Sequence, residues 1–231
     1  MDITSRVEQV AFESTSAAEP VNGIPYLVAD NFPQLGLLTA LRFLEWTAAN
    51  PAGVISLPTG KTPEYFIKWV NHFAAEWDDP ALTDLRHCHG LEIKRFPEMS
   101  GLQFVQIDEF FPIDPRQHNS FFYYVSHYYI DGFGLDAGRA QLINCDDIPT
   151  AEHLPVTEIF PDSKIDLSLR YRDAGSAAEQ RQQETILLVD QWCADYERQI
   201  RDKGGIGFFL GGIGPDGHIA FNVRGADHNS T

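Results

Sequence analysis

Three short apolar runs, each breaking off into a cluster of glycine, hydroxyl or carboxylate residues, constrain this chain more than any other feature. Gly53-Val54-Ile55-Ser56-Leu57 leads into Pro58-Thr59-Gly60-Lys61-Thr62, and a run from Leu102 to Ile107 stops at Asp108-Glu109. Gly205 to Leu210 ends in Gly211-Gly212-Ile213-Gly214-Pro215-Asp216-Gly217-His218. Apolar runs of this length bounded by turn residues read as buried strands.

Helical spacing fills the intervals. Leu37, Leu38, Leu41 and Leu44 recur at three- and four-residue steps between Pro33 and Ala49, and Asn50-Pro51 ends that helix. Pro63 opens a second helix through Trp77, and Ser120 opens a third to about Ile130. Ser176-Ala177-Ala178-Glu179 has the spacing of a capping box, which predicts a long helix to about Lys203. Gln141 to Asn144 reads as a further short strand, and 78–100 as an irregular insertion. Residues 1–24 show no clear period and read as an N-terminal tail or loose first strand; 25–231 read as one α/β domain. Alternating strands and helices predict right-handed βαβ crossovers, hence a Rossmann-like, three-layer α/β/α domain with a mainly parallel sheet. Such sheets bind ligands beyond the carboxyl ends of their strands, which is where all three polar clusters fall.

Composition narrows the partners. With 17 basic and 33 acidic residues the net charge is −16, the wrong sign for nucleic-acid binding through the overall field, so an anionic ligand needs local positive potential. Cys88, Cys145 and Cys193 lack a Cys-x-x-Cys spacing, which argues against a disulfide framework or zinc ribbon and for a reduced, cytoplasmic setting. No basic segment precedes an apolar stretch at the N-terminus, and no apolar run reaches ~18 residues, so neither secretion nor a membrane partner is expected.

Thr59, Gly60, Lys61 and Thr62 combine hydroxyls, backbone amides, a permissive glycine and a cation just before a helix, the chemistry of phosphate binding. An ordinary strand-to-helix turn is the alternative. The loop is not a nucleotide P-loop, because Ile55 stands where that pattern needs glycine. Gly212-x-Gly214-x-x-Gly217 satisfies a dinucleotide fingerprint literally, yet only 14 residues follow, short of the acidic partner ~20 positions on. Three glycines that let backbone approach a small ligand explain it equally well. Of the adjacent carboxylates, Asp108 is the candidate general base and Glu109 the supporting group, with a solvated acidic turn as the alternative. Asp216 and His218 form the stronger pair, because histidine shuttles protons near neutral pH. His87-Cys88-His89 has no matching partner spacing, so no metal site is expected. Phe121, Phe122, Tyr123, Tyr124, Tyr128 and Tyr129 read as helix core and interface rather than a stacking platform.

Together, Ser56 to Pro63, Asp108-Glu109 with the later His118-Asn119-Ser120-Phe121, and Gly211 to Asn222 resemble the glucosamine-6-phosphate deaminase/isomerase family, in the superfamily that includes the 6-phosphogluconolactonases. Ile219-Ala220-Phe221-Asn222 after the histidine looks like the deaminase branch; the lactonase branch usually continues with Thr-Ala-Ser. The resemblance runs from about Pro33 to Thr231, interrupted near 78–100 and within 148–176. It implies a phosphosugar whose phosphate lies in the Thr59–Thr62 loop and whose pyranose ring is opened by His218 with Asp216. Asp108 then moves a proton from C2 to C1, and Gly212, Gly214 and Gly217 supply pocket backbone. It further implies no metal or organic cofactor and a homo-oligomer. A phosphosugar lactonase and a non-catalytic sugar-phosphate sensor are the alternatives.

Three departures from the family pattern stand out. The family histidine is normally oriented by a glutamate five residues later, where this chain has Val223, so either Asp227 is the surrogate or the substrate differs from glucosamine 6-phosphate, as a ketosamine or an already open chain would. Lys61 replaces a small residue; it supplies a cation to the phosphate loop or narrows the pocket. The family normally continues beyond Ser230-Thr231 with further sheet and helix, so the domain is expected to be C-terminally incomplete. If the missing glutamate limits ring opening, Val223→Glu raises turnover of glucosamine 6-phosphate in a steady-state assay; unchanged or lower turnover counts against that role.

Overall fold

A computed structural model of the protein describes residues 4–14, 20–214 and 216–225. Four strands, β1 (Val54–Ser56), β2 (Gln103–Val105), β3 (Ala140–Gln141) and β4 (Phe208–Phe209), form one sheet in the order β3-β2-β1-β4, every pair parallel. Ile55 pairs with Phe104 on one side and Phe208 on the other, so β1 is an interior strand. All three of its residues are buried.

Alternation along the strands divides the core between two faces. Ile55 and Phe104 belong to the larger cluster, packed under α2 (Phe32–Ala49) and α3 (Glu64–Ala75). Val54 and Val105 face the other way, against Trp192, Tyr196 and Ile200 of α7 (Ala177–Asp202). Helices therefore cover both faces, the expected three-layer architecture. Asn31 caps α2 by accepting the Gln34 N–H at 2.9 Å, with Pro33 in its first turn. A Cβ on Gly36 would lie 2.5 Å from Cβ of Tyr65, so only glycine permits this approach of α2 to α3. Ser176 caps α7, accepting the Glu179 N–H, while the Glu179 carboxylate accepts from Gly175 N and pairs with Arg172 rather than closing the box on Ser176.

Several stretches differ from the sequence expectation. Arg6–Ser14, expected within a tail, form a helix, α1, with Val7 and Ala11 buried. The cause is tertiary: Glu45 of α2 accepts the N–H groups of Arg6 (2.8 Å) and Val7 (3.2 Å), satisfying amides at the helix start that α1 cannot satisfy itself. Within 78–100, Asp79 accepts two amides and Pro80 starts α4 (Pro80–Cys88), so this segment is not wholly irregular. The aromatic helix runs as α5 (Phe121–Val125) and then widens into a π-helical turn, Ser126–Asp131, that buries Tyr129 completely. Residues 145–170 wind through short 3₁₀ turns and α6 (Val156–Ile159), gathered by a second small core of Ala151, Ile159, Phe160, Leu169 and Ile186. Among the described residues no helix is long and apolar enough to cross a membrane.

Glu45→Ala removes a cap whose loss typically costs about 0.5–2 kcal/mol. Urea unfolding should register that loss, and amide exchange should quicken across residues 6–14; unchanged stability and protection would contradict the role assigned to Glu45.

Candidate active site

At the carboxyl edge of the sheet, the chain leaving β1, β2 and β4 surrounds a cavity of about 140 Å³. Thr59 and Thr62 contribute from the first loop, Asp108 from the second, and Gly212, Gly214 and His218 from the third. Parallel pairing produces this convergence, because it brings the three strand ends to one edge.

The first loop is held from beneath by Tyr129, whose buried hydroxyl donates to the Pro58 carbonyl at 2.5 Å. Gly60 has φ +80, a left-handed conformation that favours glycine. Pro63 gives α3 no side-chain cap; the Glu64 N–H reaches the Lys61 carbonyl at 3.3 Å, and Gly36 of α2 packs over Tyr65 and the Phe66 nitrogen. Gly60 and the exposed Lys61 do not line the cavity, whereas Thr59 and Thr62 do.

Asp108 and Glu109 take different directions. Glu109 turns onto the start of α5, where its carboxylate accepts the N–H groups of Phe121 (3.0 Å) and Phe122 (2.7 Å) and the Ser120 hydroxyl (2.8 Å). It is a helix anchor, and it fixes Phe121 in the cavity wall. Asp108 lines the cavity; burial, then the Glu109 charge, pushes its carboxyl above the usual 3.8.

His218 Nδ1 lies 2.5 Å from Oδ1 of Asp216, which orients the ring without lining the cavity itself. Hydrogen bonding to His218 holds the Asp216 carboxyl below its ordinary value. A Cβ on Gly214 would lie 2.1 Å from Cε1 of His218, so glycine is what makes room for the imidazole. Gly217 adopts φ +82 at the turn between Asp216 and His218 and is not part of the wall. Val223 is half exposed, and the carboxylate partner of His218 is Asp216; Asp227 lies outside the described residues.

An aromatic contact escaped the sequence reading. Phe221, just beyond His218, packs on Phe110 with ring centres 4.7 Å apart and stacks parallel to Phe121 at 6.0 Å. It fastens the histidine segment to the loop that follows β2. The sequence signal was available in Phe110, Phe121 and Phe221, three aromatics adjoining the polar clusters, but nothing in linear spacing joins them. Among the described residues no group of three or more His, Cys, Asp or Glu side chains is placed to hold a metal ion.

Chemically, a partly desolvated carboxylate and a carboxylate-oriented imidazole on one small cavity, beside the Thr59 and Thr62 hydroxyls, suit proton transfer on a small polar molecule. Fold and site together define an α/β protein with a carboxylate and an imidazole on one cavity at the strand ends. No family model matches the chain. It is 52% identical to a glucosamine-6-phosphate isomerase of Candida albicans over 42 residues, 18% of this chain and 17% of that protein. It is 63% identical to a glucosamine-6-phosphate deaminase of Phocaeicola vulgatus over 38 residues, 16% of this chain and 14% of that one. Among solved structures it is similar to a monomeric glucosamine-6-phosphate deaminase, with TM-score 0.53 and 19% identity over 87% of this chain and 60% of the other. A 6-phosphogluconolactonase from Plasmodium vivax gives TM-score 0.50 and 14% identity over 97% of this chain and 57% of the other. The chain thus shares the fold of both and spans less than two thirds of their length.

Asp108→Asn tests the strain of the buried carboxyl. A carboxyl raised by folding costs no stability below its ordinary value, and the cost develops as pH rises through the folded value. The asparagine variant should therefore unfold at higher denaturant than wild type at neutral pH, with the difference shrinking towards pH 4. An equal or lower midpoint at neutral pH would contradict the assigned burial penalty.

Proposed function

We propose that the chain carries the catalytic portion of an isomerising deaminase acting on glucosamine 6-phosphate, releasing fructose 6-phosphate and ammonia. The observation that carries this reading is the meeting of Asp108, His218 and the Thr59–Thr62 turn on one cavity. The local identity to glucosamine-6-phosphate deaminases and isomerases supports it.

In the proposed mechanism the phosphate sits against the Thr59 and Thr62 hydroxyls. His218, oriented by Asp216, takes the proton from the anomeric hydroxyl and delivers one to the ring oxygen, opening the pyranose. Asp108 then removes the C2 proton, leaving an enolamine, and returns a proton to C1. The resulting 2-imino ketose adds water and expels ammonia. Positioned acid and base groups of this kind each contribute typically ~10²–10⁴-fold. Glu109 supports the reaction by keeping α5 and Phe121 in place. A homo-oligomer and a cytoplasmic setting are part of the same proposal.

Likeness of fold also admits a phosphosugar lactonase, in which an imidazole activates water and no carboxylate need move a carbon-bound proton. Asp108 separates the two readings. The purified chain should release ammonia from glucosamine 6-phosphate, and Asp108→Asn should lower that rate by ~10²-fold or more. No release from folded wild-type protein, or an equal rate in the variant, would overturn the deaminase reading.

A further inference from the structure

Gln106 is a polar residue in an otherwise apolar run, directly after β2, and is only 2% exposed. Every one of its polar groups is engaged. Its N–H donates to the Gln141 carbonyl at 3.0 Å, and its own carbonyl accepts the Tyr196 hydroxyl of α7 at 2.6 Å. Its side-chain Oε1 accepts the Ile143 N–H at 3.0 Å, while Nε2 donates to the Asp108 carbonyl at 2.9 Å. The residue is thus fixed from the β3 side and from α7, and it hands that fixity to the peptide two positions on.

The consequence is visible in the neighbouring side chains. Consecutive residues of an extended strand point to opposite faces. Ile107 and Asp108 nevertheless line the same cavity, and Glu109 turns away onto α5. The hydrogen-bonded strand ends at Val105, and beyond it the chain is held by the short loop that the Gln106 amide closes on the Asp108 carbonyl. A leucine or valine at position 106 would fill the buried site without that closure and would leave the Ile143 N–H without this acceptor.

We propose that Gln106 is the positioning residue that sets the two adjacent carboxylates apart, holding the Asp108 peptide so that its carboxyl enters the cavity while Glu109 is free to cap α5. The catalytic meaning of this placement rests on the reading of Asp108 as the base that moves the C2 proton. The titratable groups around Asp108 are Glu109 beside it and His218 on the same cavity.

The test uses the full chain and Gln106→Met, which keeps the length of the side chain and removes both of its hydrogen bonds. Thr185→Val is the control: Thr185 is equally buried and accepts the Ala151 N–H at 3.1 Å, in the second core away from the cavity. Ammonia release from glucosamine 6-phosphate gives kcat and KM, and carbon-13 NMR follows the titration of the Asp108 carboxyl. Misplacement of a reacting group by an ångström costs on the order of 100-fold, so kcat of Gln106→Met should fall by about that factor with KM near wild type. The Asp108 titration should move, and Thr185→Val should keep wild-type kcat and titration. A Gln106→Met protein with wild-type kcat and Asp108 titration overturns the proposal, as does an equal loss of kcat in Thr185→Val. If wild-type protein releases no ammonia, the deaminase reading fails, while the carboxyl titration alone still decides the placement of Asp108. Should Gln106→Met not fold, Gln106→Asn keeps the amide, shortens its reach and carries the same expectations.

Discussion

Parallel pairing of β1 on both of its edges is the constraint from which the site follows. Because Ile55 is registered against Phe104 on one side and Phe208 on the other, the chain leaves three strands in the same direction at the same edge. A polar loop leaving any of them is then within reach of the other two. Burial of both faces, under α2 and α3 on one side and α7 on the other, holds that register with few hydrogen-bonded strand residues. Short strands suffice here because packing, rather than ladder length, fixes the sheet.

On this frame, groups that anchor the fold and groups that line the cavity are kept apart even when adjacent. Glu109 spends its carboxylate on three donors around the start of α5 and is structural. Asp108, one residue earlier, stays in the cavity at the expense of stability once ionised. Tyr129 repeats the pattern under the first loop: its buried ring belongs to the core and its hydroxyl reaches the Pro58 carbonyl. Phe221 does the same for the third loop through rings rather than hydrogen bonds.

Much of this was legible in the sequence. The apolar runs at 54–56, 103–105 and 208–209 and the helices α2, α3 and α7 follow from local pattern, because each buries its own periodic face. Asp108, Asp216 and His218 were legible because each stands where an apolar run ends, or in the turn just beyond one. What escaped depends mostly on distant partners. α1 needs Glu45, some forty positions away, for the amides of Arg6 and Val7; its Ser5-x-x-Glu8 spacing, in which Ser5 Oγ accepts the Glu8 N–H at 3.1 Å, was a local start signal that the sequence reading passed over. The π turn that buries Tyr129 is a property of how the aromatic helix packs over the sheet, not of its spacing. Gln106 lay unremarked within the run from Leu102 to Ile107, because its four partners are joined to it only by the fold. Lys61, the one cation in the phosphate loop, stands exposed outside the cavity, since a side chain's direction in a turn cannot be read from its identity.

Convergence of the three strand ends on one ligand site is tested most directly by titrating nitrogen-15-labelled protein with glucosamine 6-phosphate and following the backbone amides. A single site at this edge requires saturable shifts at Thr59, Thr62, Asp108, Gly212 and Gly214 with one common dissociation constant. Shifts centred instead on the 145–157 segment, or no saturable shift at any of the three loops, would contradict it.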